Sequence, residues 1–288
     1  MEVLRYAAFT TDPLGGNPAG VVLDATGASD ADMAKIAQDV GYSETAFVVP
    51  GDDGHMTVRY FSPAVEVPFC GHATITTAVA HADVHGVGEL ILHTRAGVVP
   101  VRTDRDDAGR VTATLTSVPP RTEPLSDSQV AALLRVLGWK AEDLDRTLPP
   151  RAAYAGAWHP VLAAADRARL AALDYDMREL AALMNQHGWV TVNLVWRESP
   201  TVFHARNPFP TGGVFEDPAT GAAAAAFGGY LREAHLVPLP ARITVRQGED
   251  MGRPSTITVT VPEDPDAGIA ITGTAVAIEH PVASTPTR

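Results

Sequence analysis

The chain has 288 residues, 45% of them hydrophobic and 19% charged, which fits two globular domains of ordinary composition. Its net charge of −12 and its lack of Lys/Arg runs disfavour a nucleic-acid partner, because phosphate neutralisation requires a basic surface. A single cysteine excludes an intrachain disulfide, and we find neither a secretory signal nor an apolar stretch long enough for a membrane span. A cytoplasmic protein without a membrane partner is expected.

In the first half, alternating apolar and polar residues predict short strands around two helices. The first helix runs from Ser29 to Val40, with Ser29 as its N-cap and Gly41 just after its last turn. The second covers about 72–83 and is rich in the small residues Ala and Thr. The strands are predicted at 3–9, 20–23, 45–49, 56–61, 89–93, 98–102 and 111–116.

Pro119-Pro120 interrupts this pattern and predicts a domain boundary, giving domains 1–118 and 119–288, with the last strand free to return to the first. The second half has predicted helices at 127–137, 177–187 and 221–233. Its predicted strands are 154–163, 190–196, 201–206, 242–246, 256–261 and 269–278. The Ser/Thr/Pro tail after Pro281 is expected to fray.

One pattern, E-x-P-x-x-G, occurs at residues 66–71 and again 150 residues later at 216–221. Each copy leads into a helix of small residues and then into a strand that ends in R-x-G, at 95–97 and 246–248. A period this long favours two similar domains over a solenoid. Because the small-residue helices lack a charged stripe, each is predicted to be buried inside a curled sheet, with an ordinary core helix as the alternative.

Both small-residue helices begin at a glycine, Gly71 or Gly221. Their first backbone N–H groups have no partner within the helix and lie at the positive end of its dipole. Such a terminus is an anion site, and a glycine lets a ligand approach the backbone closely. If the two helix starts face each other, a substrate carboxylate can lie between them.

Five segments, in order along the chain, resemble the phenazine-biosynthesis F (PhzF-like) family. They are 12–22 (DPLGGNPAGVV), 43–48 (SETAFV), 68–74 (PFCGHAT), 216–221 (EDPATG), and 247–248 (QG) with 252–255 (GRPS). The resemblance implies a diaminopimelate-epimerase-like fold of class α+β: two similar domains, each a curled, mostly antiparallel sheet around a buried central helix. It also implies an active site between the domains, often a homodimer, and no metal or organic cofactor.

The family's namesake activity isomerises trans-2,3-dihydro-3-hydroxyanthranilate. The resemblance therefore implies a cofactor-independent isomerase in biosynthetic metabolism, which shifts a proton within a small, possibly cyclic and unsaturated carboxylic acid. It places Glu44 as the acid/base that takes the proton and returns it, since one carboxylate can serve both steps. His72 would bind the substrate or relay a proton, and Asp217 would bind a substrate amine or hydroxyl. Asp217 could also relay a proton with His72, so the predicted catalytic residues are Glu44, His72 and Asp217. A capping or structural role is the alternative for each.

The predicted substrate-binding residues are Asn17, Gly71, Gly221, Ala222 and Gln247. The two glycines would contribute backbone N–H groups, and Asn17 has a turn role as its alternative. The chain departs from the family at Ala222, where many relatives have a serine that binds the substrate carboxylate. The methyl group removes one hydrogen bond, worth about 1 kcal/mol, which puts the namesake substrate in doubt more than the reaction class.

Two other functions remain open. Cys70 lies just before a helix, where a thiol is more acidic than usual, so Cys70 and Glu44 could form the two bases of an amino-acid or hydroxy-acid epimerase. A buried structural role is the alternative for this thiol. The second possibility is a non-catalytic protein that binds a small acid. The ten histidines are scattered without a metal-binding spacing, and even His81 and His85 lack further ligands, so no metal is expected.

Overall fold

A computed structural model describes residues 1–52 and 55–279. The predicted fraying of the tail after Pro281 lies outside these residues. Within them, the chain forms two compact units. Unit 1 runs from Met1 to Thr116 and resumes at Thr272, and unit 2 runs from Ser117 to Ile271. Over the described part of the chain, no helix is long and apolar enough to cross a membrane.

The elements of the first part follow in chain order. They are β1 (Leu4–Ala8), β2 (Asn17–Val22), α1 (Asp30–Val40), β3 (Thr45–Pro50), β4 (His55–Phe61), β5 (Glu66–Val67), α2 (Gly71–His85), β6 (Glu89–Thr94), β7 (Gly97–Arg105) and β8 (Val111–Thr116). The later elements begin after Ser117. They are β9 (Arg121–Pro124), α3 (Asp127–Val136), β10 (Arg151–Tyr154), β11 (Trp158–Ala163), α4 (Arg167–Ala171), α5 (Met177–His187), β12 (Asn193–Ser199), β13 (Val202–Phe209), β14 (Val214–Asp217), α6 (Gly221–Glu233), β15 (Ala241–Gln247), β16 (Ser255–Val261) and β17 (Ala270–Ala277).

The strands of unit 1 form a closed, barrel-like ring. β1 pairs antiparallel with both β2 and β17, and β17 also pairs with β8. The β2–β3 and β4–β6 pairs are parallel, whereas β3–β4, β6–β7 and β7–β8 are antiparallel. Helix α2 packs against β1, β2, β3, β7 and β8, so it lies inside this ring.

Helix α2 is buried from His72 to Ala80, and its threonine hydroxyls are satisfied by backbone carbonyls at the start of the same helix. Thr76 and Thr77 each donate a hydrogen bond to the Ala73 carbonyl, at 2.9 and 2.7 Å. Thr74 donates to the Cys70 carbonyl at 2.7 Å. Because buried hydroxyl groups are costly only when unpaired, this threonine-rich helix can occupy the centre of the sheet.

Unit 2 has a second curled sheet with α6 packed against it. Its strands pair in the order β9, β10, β11, β12, β13, β15 and β16, with parallel pairs at β11–β12 and β13–β15. Helix α6 packs against β9, β10, β11 and β16. Gly229 of α6 brings the helix very close to its neighbours, since an added Cβ would lie 2.3 Å from Pro120 Cβ. Helices α3 and α5 cover a separate apolar cluster around Leu180 and Trp189.

The predicted sheet-rich α+β class and the two small-residue helices are confirmed, as is α1 with its Ser29 capping box and left-handed Gly41. The predicted single strand 154–163 is wrong: β10 and β11 form a hairpin whose turn contains Gly156 at φ 107°. The elements β5, β9, β14 and α4 were not predicted from the sequence. That the two units arose by duplication stays a prediction, as do the proposed domain limits.

Candidate active site

In unit 1 the structure brings Glu44 next to the start of helix α2. Glu44 immediately precedes β3, and its carbonyl accepts a hydrogen bond from the Gly20 N–H across the parallel β2–β3 pair. Its carboxylate Oε2 lies 3.4 Å from His72 Nε2. The Ser43 hydroxyl also lies 3.4 Å from that nitrogen. A carboxylate and an imidazole are therefore adjacent, an arrangement that permits proton transfer between them.

Cys70 completes a cluster with these two groups. Its Sγ atom lies 3.3 Å from His72 Nδ1 and 3.8 Å from His72 Nε2. One ligand-type atom from each of Glu44, Cys70 and His72 lies within 4.8 Å of the other two. Cys70 and His72 are 9% and 7% exposed, and the Glu44 side chain is 17% exposed. The cluster is thus mostly shielded from water, with its open side at the carboxylate.

A chain of buried hydrogen bonds holds the start of α2. Thr74 donates to the Cys70 carbonyl, so the 2.7 Å contact between the Tyr60 and Thr74 hydroxyls must have Tyr60 as its donor. Burial raises the pKa of Tyr60, which keeps it a neutral donor. The side chain of Cys70, the N-cap residue, makes no capping hydrogen bond to the first N–H groups of α2. The first N–H groups of α2 therefore point out of the helix start, where they can donate to a bound anion.

Gly71 leaves open space at this helix start. A Cβ built on Gly71 would meet no atom of the described residues within 4 Å, its chain neighbours and own helix backbone aside. The residue has no left-handed φ angle that would require glycine. Packing and backbone geometry therefore do not explain this glycine, whereas room for a ligand would.

In unit 2 the side chain of Gln247 forms hydrogen bonds to the residues just before helix α6. Its amide oxygen accepts from the Thr220 N–H at 3.1 Å, and its NH₂ group donates to the Asp217 carbonyl and the Thr220 hydroxyl at 2.6 and 3.0 Å. Thr220 in turn donates to the Asp217 carboxylate at 2.6 Å, and Ser255 donates to the Pro218 carbonyl at 3.0 Å. These contacts give Gln247 a positioning role that the sequence did not reveal.

The remaining predicted residues lie at element starts. Asn17 is buried and opens β2 opposite Ala8, in a strand rather than the alternative turn. Gly221 and Ala222 are the first two residues of α6, and the side chain of the N-cap residue Thr220 makes no capping hydrogen bond to that helix. Ala222 offers only its methyl group and its backbone N–H.

Two Arg–Glu pairs fix the segments before the helix starts, and neither pair was predicted from the sequence. Glu66 binds Arg59 through two hydrogen bonds of 2.8 and 2.7 Å. Glu216 makes a corresponding bidentate pair with Arg206, and both side chains are buried. A sequence pattern could have predicted both pairs: the first residue of each E-x-P-x-x-G copy is a glutamate, and the strand before it contains an arginine.

A cavity of about 450 Å³ in unit 2 lies away from these residues. Its lining includes Arg121, Trp158 and Trp189 and contains none of the predicted site residues. The Arg121 guanidinium already lies 4.0 Å from the Tyr154 ring centroid and 5.1 Å from that of Trp158. One wall of the cavity is thus a guanidinium packed against aromatic rings.

The fold is similar to those of a PhzF-family protein and a probable racemase. A crystal structure of the Bacillus anthracis phenazine biosynthesis protein, PhzF family, has a TM-score of 0.87 and 26% identity, covering 97% of this chain and 98% of that one. A probable proline racemase from Agrobacterium radiobacter shares the fold at a TM-score of 0.61 and 14% identity, covering 95% and 90%.

The sequence relatives carry isomerase names. A protein of Escherichia coli named Uncharacterized isomerase YddE is 32% identical over 289 residues, 97% of each chain. The trans-2,3-dihydro-3-hydroxyanthranilate isomerase of Pseudomonas aeruginosa is 33% identical over 249 residues, 86% of each chain. The chain is thus an enzyme of the isomerase class. Its residues 6–281 match the family described as Phenazine biosynthesis-like protein, and it belongs to that family, as the sequence motifs predicted.

Proposed function

We propose that this enzyme moves a proton within a small carboxylic acid without a cofactor, with Glu44 removing the proton and returning it. The observation that carries the proposal is the Glu44 carboxylate 3.4 Å from His72 Nε2 at the start of the buried helix α2. The Pseudomonas aeruginosa relative is named for an unsaturated ring acid, which supports this substrate class. Biosynthetic metabolism is the setting that the family name suggests.

Glu44 starts the reaction as a carboxylate and takes a proton from a substrate carbon. It then holds that proton as a carboxylic acid and delivers it to a second carbon, so the enzyme ends as it began. His72 Nε2 can donate a hydrogen bond to the carboxylate before the transfer and exchange a proton with it during the cycle. The low exposure of both side chains limits proton exchange with bulk water.

The substrate carboxylate would bind the uncapped N–H groups of Gly71 and His72. The helix terminus favours an anion by about 0.3–2 kcal/mol, depending on its burial. The open space beside Gly71 admits the ligand. Asn17, Asp217, Gly221 and Ala222 are proposed substrate contacts on the basis of the family resemblance. The hydrogen bonds of Gln247 support a role in holding the Asp217 segment instead.

The spacing of Glu44 and Cys70 favours one base over two. An epimerase with two bases places them on opposite faces of a carbon, each about 3–3.5 Å from it, which separates them by roughly 6–7 Å. The Glu44 oxygen and the Cys70 sulfur lie within 4.8 Å of each other. They are too close to flank a carbon atom, so a proton shift by Glu44 fits this geometry better than a Glu44/Cys70 epimerase.

Glu44→Gln tests the proposal. A thermal-shift screen of cyclic and amino carboxylic acids identifies ligands, and NMR in D₂O detects those whose C–H groups exchange or shift. We expect Glu44→Gln to lose turnover at least about 100-fold while it still binds the ligand. The matched control is Glu89→Gln, an exposed acid of β6 in the same unit, which should keep full turnover.

Three other outcomes have distinct meanings. Retained turnover in Glu44→Gln would remove Glu44 from the acid/base role. An inactive but folded Cys70→Ala variant, combined with α-hydrogen exchange, would favour the epimerase. Ligands that stabilise the wild-type protein without any exchange or isomerisation would instead indicate a binding protein.

A further inference from the structure

The cluster of Glu44, Cys70 and His72 combines the three donor types that bind zinc: a carboxylate oxygen, a thiol sulfur and an imidazole nitrogen. The spacing of histidines along the sequence did not indicate it, because Glu44 joins the pair from the start of a separate strand. We propose that this cluster is a binding site for Zn²⁺, and that the bound ion inhibits the enzyme.

The distances fit a tetrahedral ion. With metal–ligand bonds of about 2.0–2.3 Å, two ligands on a tetrahedron lie about 3.3 Å apart for an N/O pair and about 3.6 Å for an N/S pair. The His72 Nε2 to Glu44 Oε2 distance is 3.4 Å, and the His72 Nε2 to Cys70 Sγ distance is 3.8 Å. The Glu44 and Cys70 atoms lie within 4.8 Å of each other, so they need to approach by about 1.3 Å at most to reach the roughly 3.5 Å of a tetrahedral O/S pair.

The donor set selects the class of metal. Mg²⁺ and Ca²⁺ prefer oxygen ligands in six- to eight-fold coordination, so a thiol and an imidazole disfavour them. Zn²⁺ and Co²⁺ accept one sulfur, one nitrogen and one oxygen ligand, with a fourth position for water. The thiol releases its proton when it binds, so binding couples to proton release. The partly exposed Glu44 carboxylate provides the access route for the ion.

Inhibition rests on the proposed function. A metal-bound Glu44 oxygen and His72 Nε2 would no longer be available to a substrate proton. Zinc binding itself does not depend on that role. It is therefore measured without substrate, so that the two proposals fail separately.

The binding test uses Co²⁺ as a spectroscopic probe of the purified, reduced full chain. We expect one equivalent of Co²⁺ to give a near-ultraviolet thiolate-to-cobalt charge-transfer band together with the visible bands of four-coordinate cobalt. Zn²⁺ should displace it, following the usual affinity order. Cys70→Ser should lose the charge-transfer band and bind Zn²⁺ at least about 10-fold more weakly. Glu44→Gln, which replaces an exposed-side ligand, should also weaken binding and guards against a folding defect in Cys70→Ser.

The matched control is the exposed pair of His55 and His93, whose ring nitrogens lie 3.0 Å apart. His93→Asn should leave the cobalt spectrum and the zinc affinity unchanged. Three results would each overturn the site. Co²⁺ could saturate the protein without a thiolate band, binding could be lost in His93→Asn rather than in Cys70→Ser, or no metal could bind at all. If Zn²⁺ binds at this cluster but a turnover assay shows no inhibition reversible by a chelator, the inhibitory role is overturned.

Discussion

Single hydroxyl groups decide how the start of α2 is held. Tyr60 donates to Thr74, and Thr74 donates to the Cys70 carbonyl, so one short chain of hydrogen bonds connects β4 to the residue before the helix. No sequence motif marks these residues, since a tyrosine in a strand and a threonine in a helix are ordinary. Their role follows only from the burial of both side chains against each other.

A double-mutant cycle tests this chain. Tyr60→Phe removes one donor and should cost about 1 kcal/mol of unfolding free energy. Thr74→Val leaves the buried Tyr60 hydroxyl unpaired and should cost about 1–3 kcal/mol. The double variant should be less destabilised than the sum of the two, with a coupling above about 0.5 kcal/mol. Urea unfolding measures all four proteins, and additive effects would show that the two hydroxyls do not interact.

Residue identity alone found part of the site. The family motifs pointed to Glu44 and His72, and the structure places them together. Gln247 stays a predicted substrate contact, and the structure adds hydrogen bonds from its amide to Thr220 and Asp217. These bonds could not be predicted, because a motif gives the position of a side chain along the chain, whereas its hydrogen-bond partners depend on the fold of two separate segments.

At the scale of elements, the two buried helices use glycine in opposite ways. Gly71 at the start of α2 faces open space, whereas Gly229 within α6 lies against Pro120. The sequence predicted both helices from their small residues but could not distinguish these two uses. That distinction depends on what packs against each glycine.

Substitution by alanine should separate the two roles. Gly229→Ala gains about 1 kcal/mol of helix propensity, but its Cβ would lie 2.3 Å from Pro120 Cβ, so a net loss of about 1–3 kcal/mol is expected. Gly71→Ala should keep or slightly raise stability. It should weaken ligand binding, because the added methyl group would occupy the space proposed for the ligand. Denaturant unfolding and ligand titration measure these effects.

Gly88→Ala is the matched control, since Gly88 is exposed and an added Cβ would meet no atom of the described residues within 4 Å. It should change neither stability nor binding by a measurable amount. Unimpaired binding by Gly71→Ala would show that no ligand occupies the space at that helix start.

At the scale of the whole molecule, local patterns predicted elements better than pairings. The helix 177–187 was predicted with its observed bounds, because capping and apolar periodicity are local signals. The closure of the unit 1 ring joins Tyr6 to Ala277, and no local pattern specifies a partner so distant in sequence. The Gly156 turn, which divides one predicted strand into a hairpin, was overlooked for a different reason: a lone glycine among apolar residues also fits a strand bulge.

Global stability should depend on pH through a polar group in the core of unit 2. His159 is almost completely buried, and its Nδ1 lies 2.8 Å from the Thr191 hydroxyl. That hydroxyl donates to Asn207, so His159 Nδ1 must carry the hydrogen. The other nitrogen, Nε2, has no hydrogen-bond partner among the described residues. Burial therefore lowers the pKa of His159 from 6.5 to about 4, because a charged imidazole would be desolvated.

This lowered pKa sets the direction of a pH effect. Between about pH 6.5 and pH 4 the unfolded chain binds a proton at His159 that the folded chain rejects, so the free energy of unfolding should fall as the pH falls through this range. The expected loss between pH 7.5 and pH 5 is about 2 kcal/mol. His159→Gln can keep a donor to Thr191 but cannot titrate, so its stability should fall by about 2 kcal/mol less over the same interval.

Urea unfolding at the two pH values measures the difference, with the exposed His93→Gln as the control that keeps the wild-type dependence. Equal pH dependence in His159→Gln and the wild-type protein would show that burial does not lower the pKa of His159, so that the folded and unfolded chains bind its proton equally.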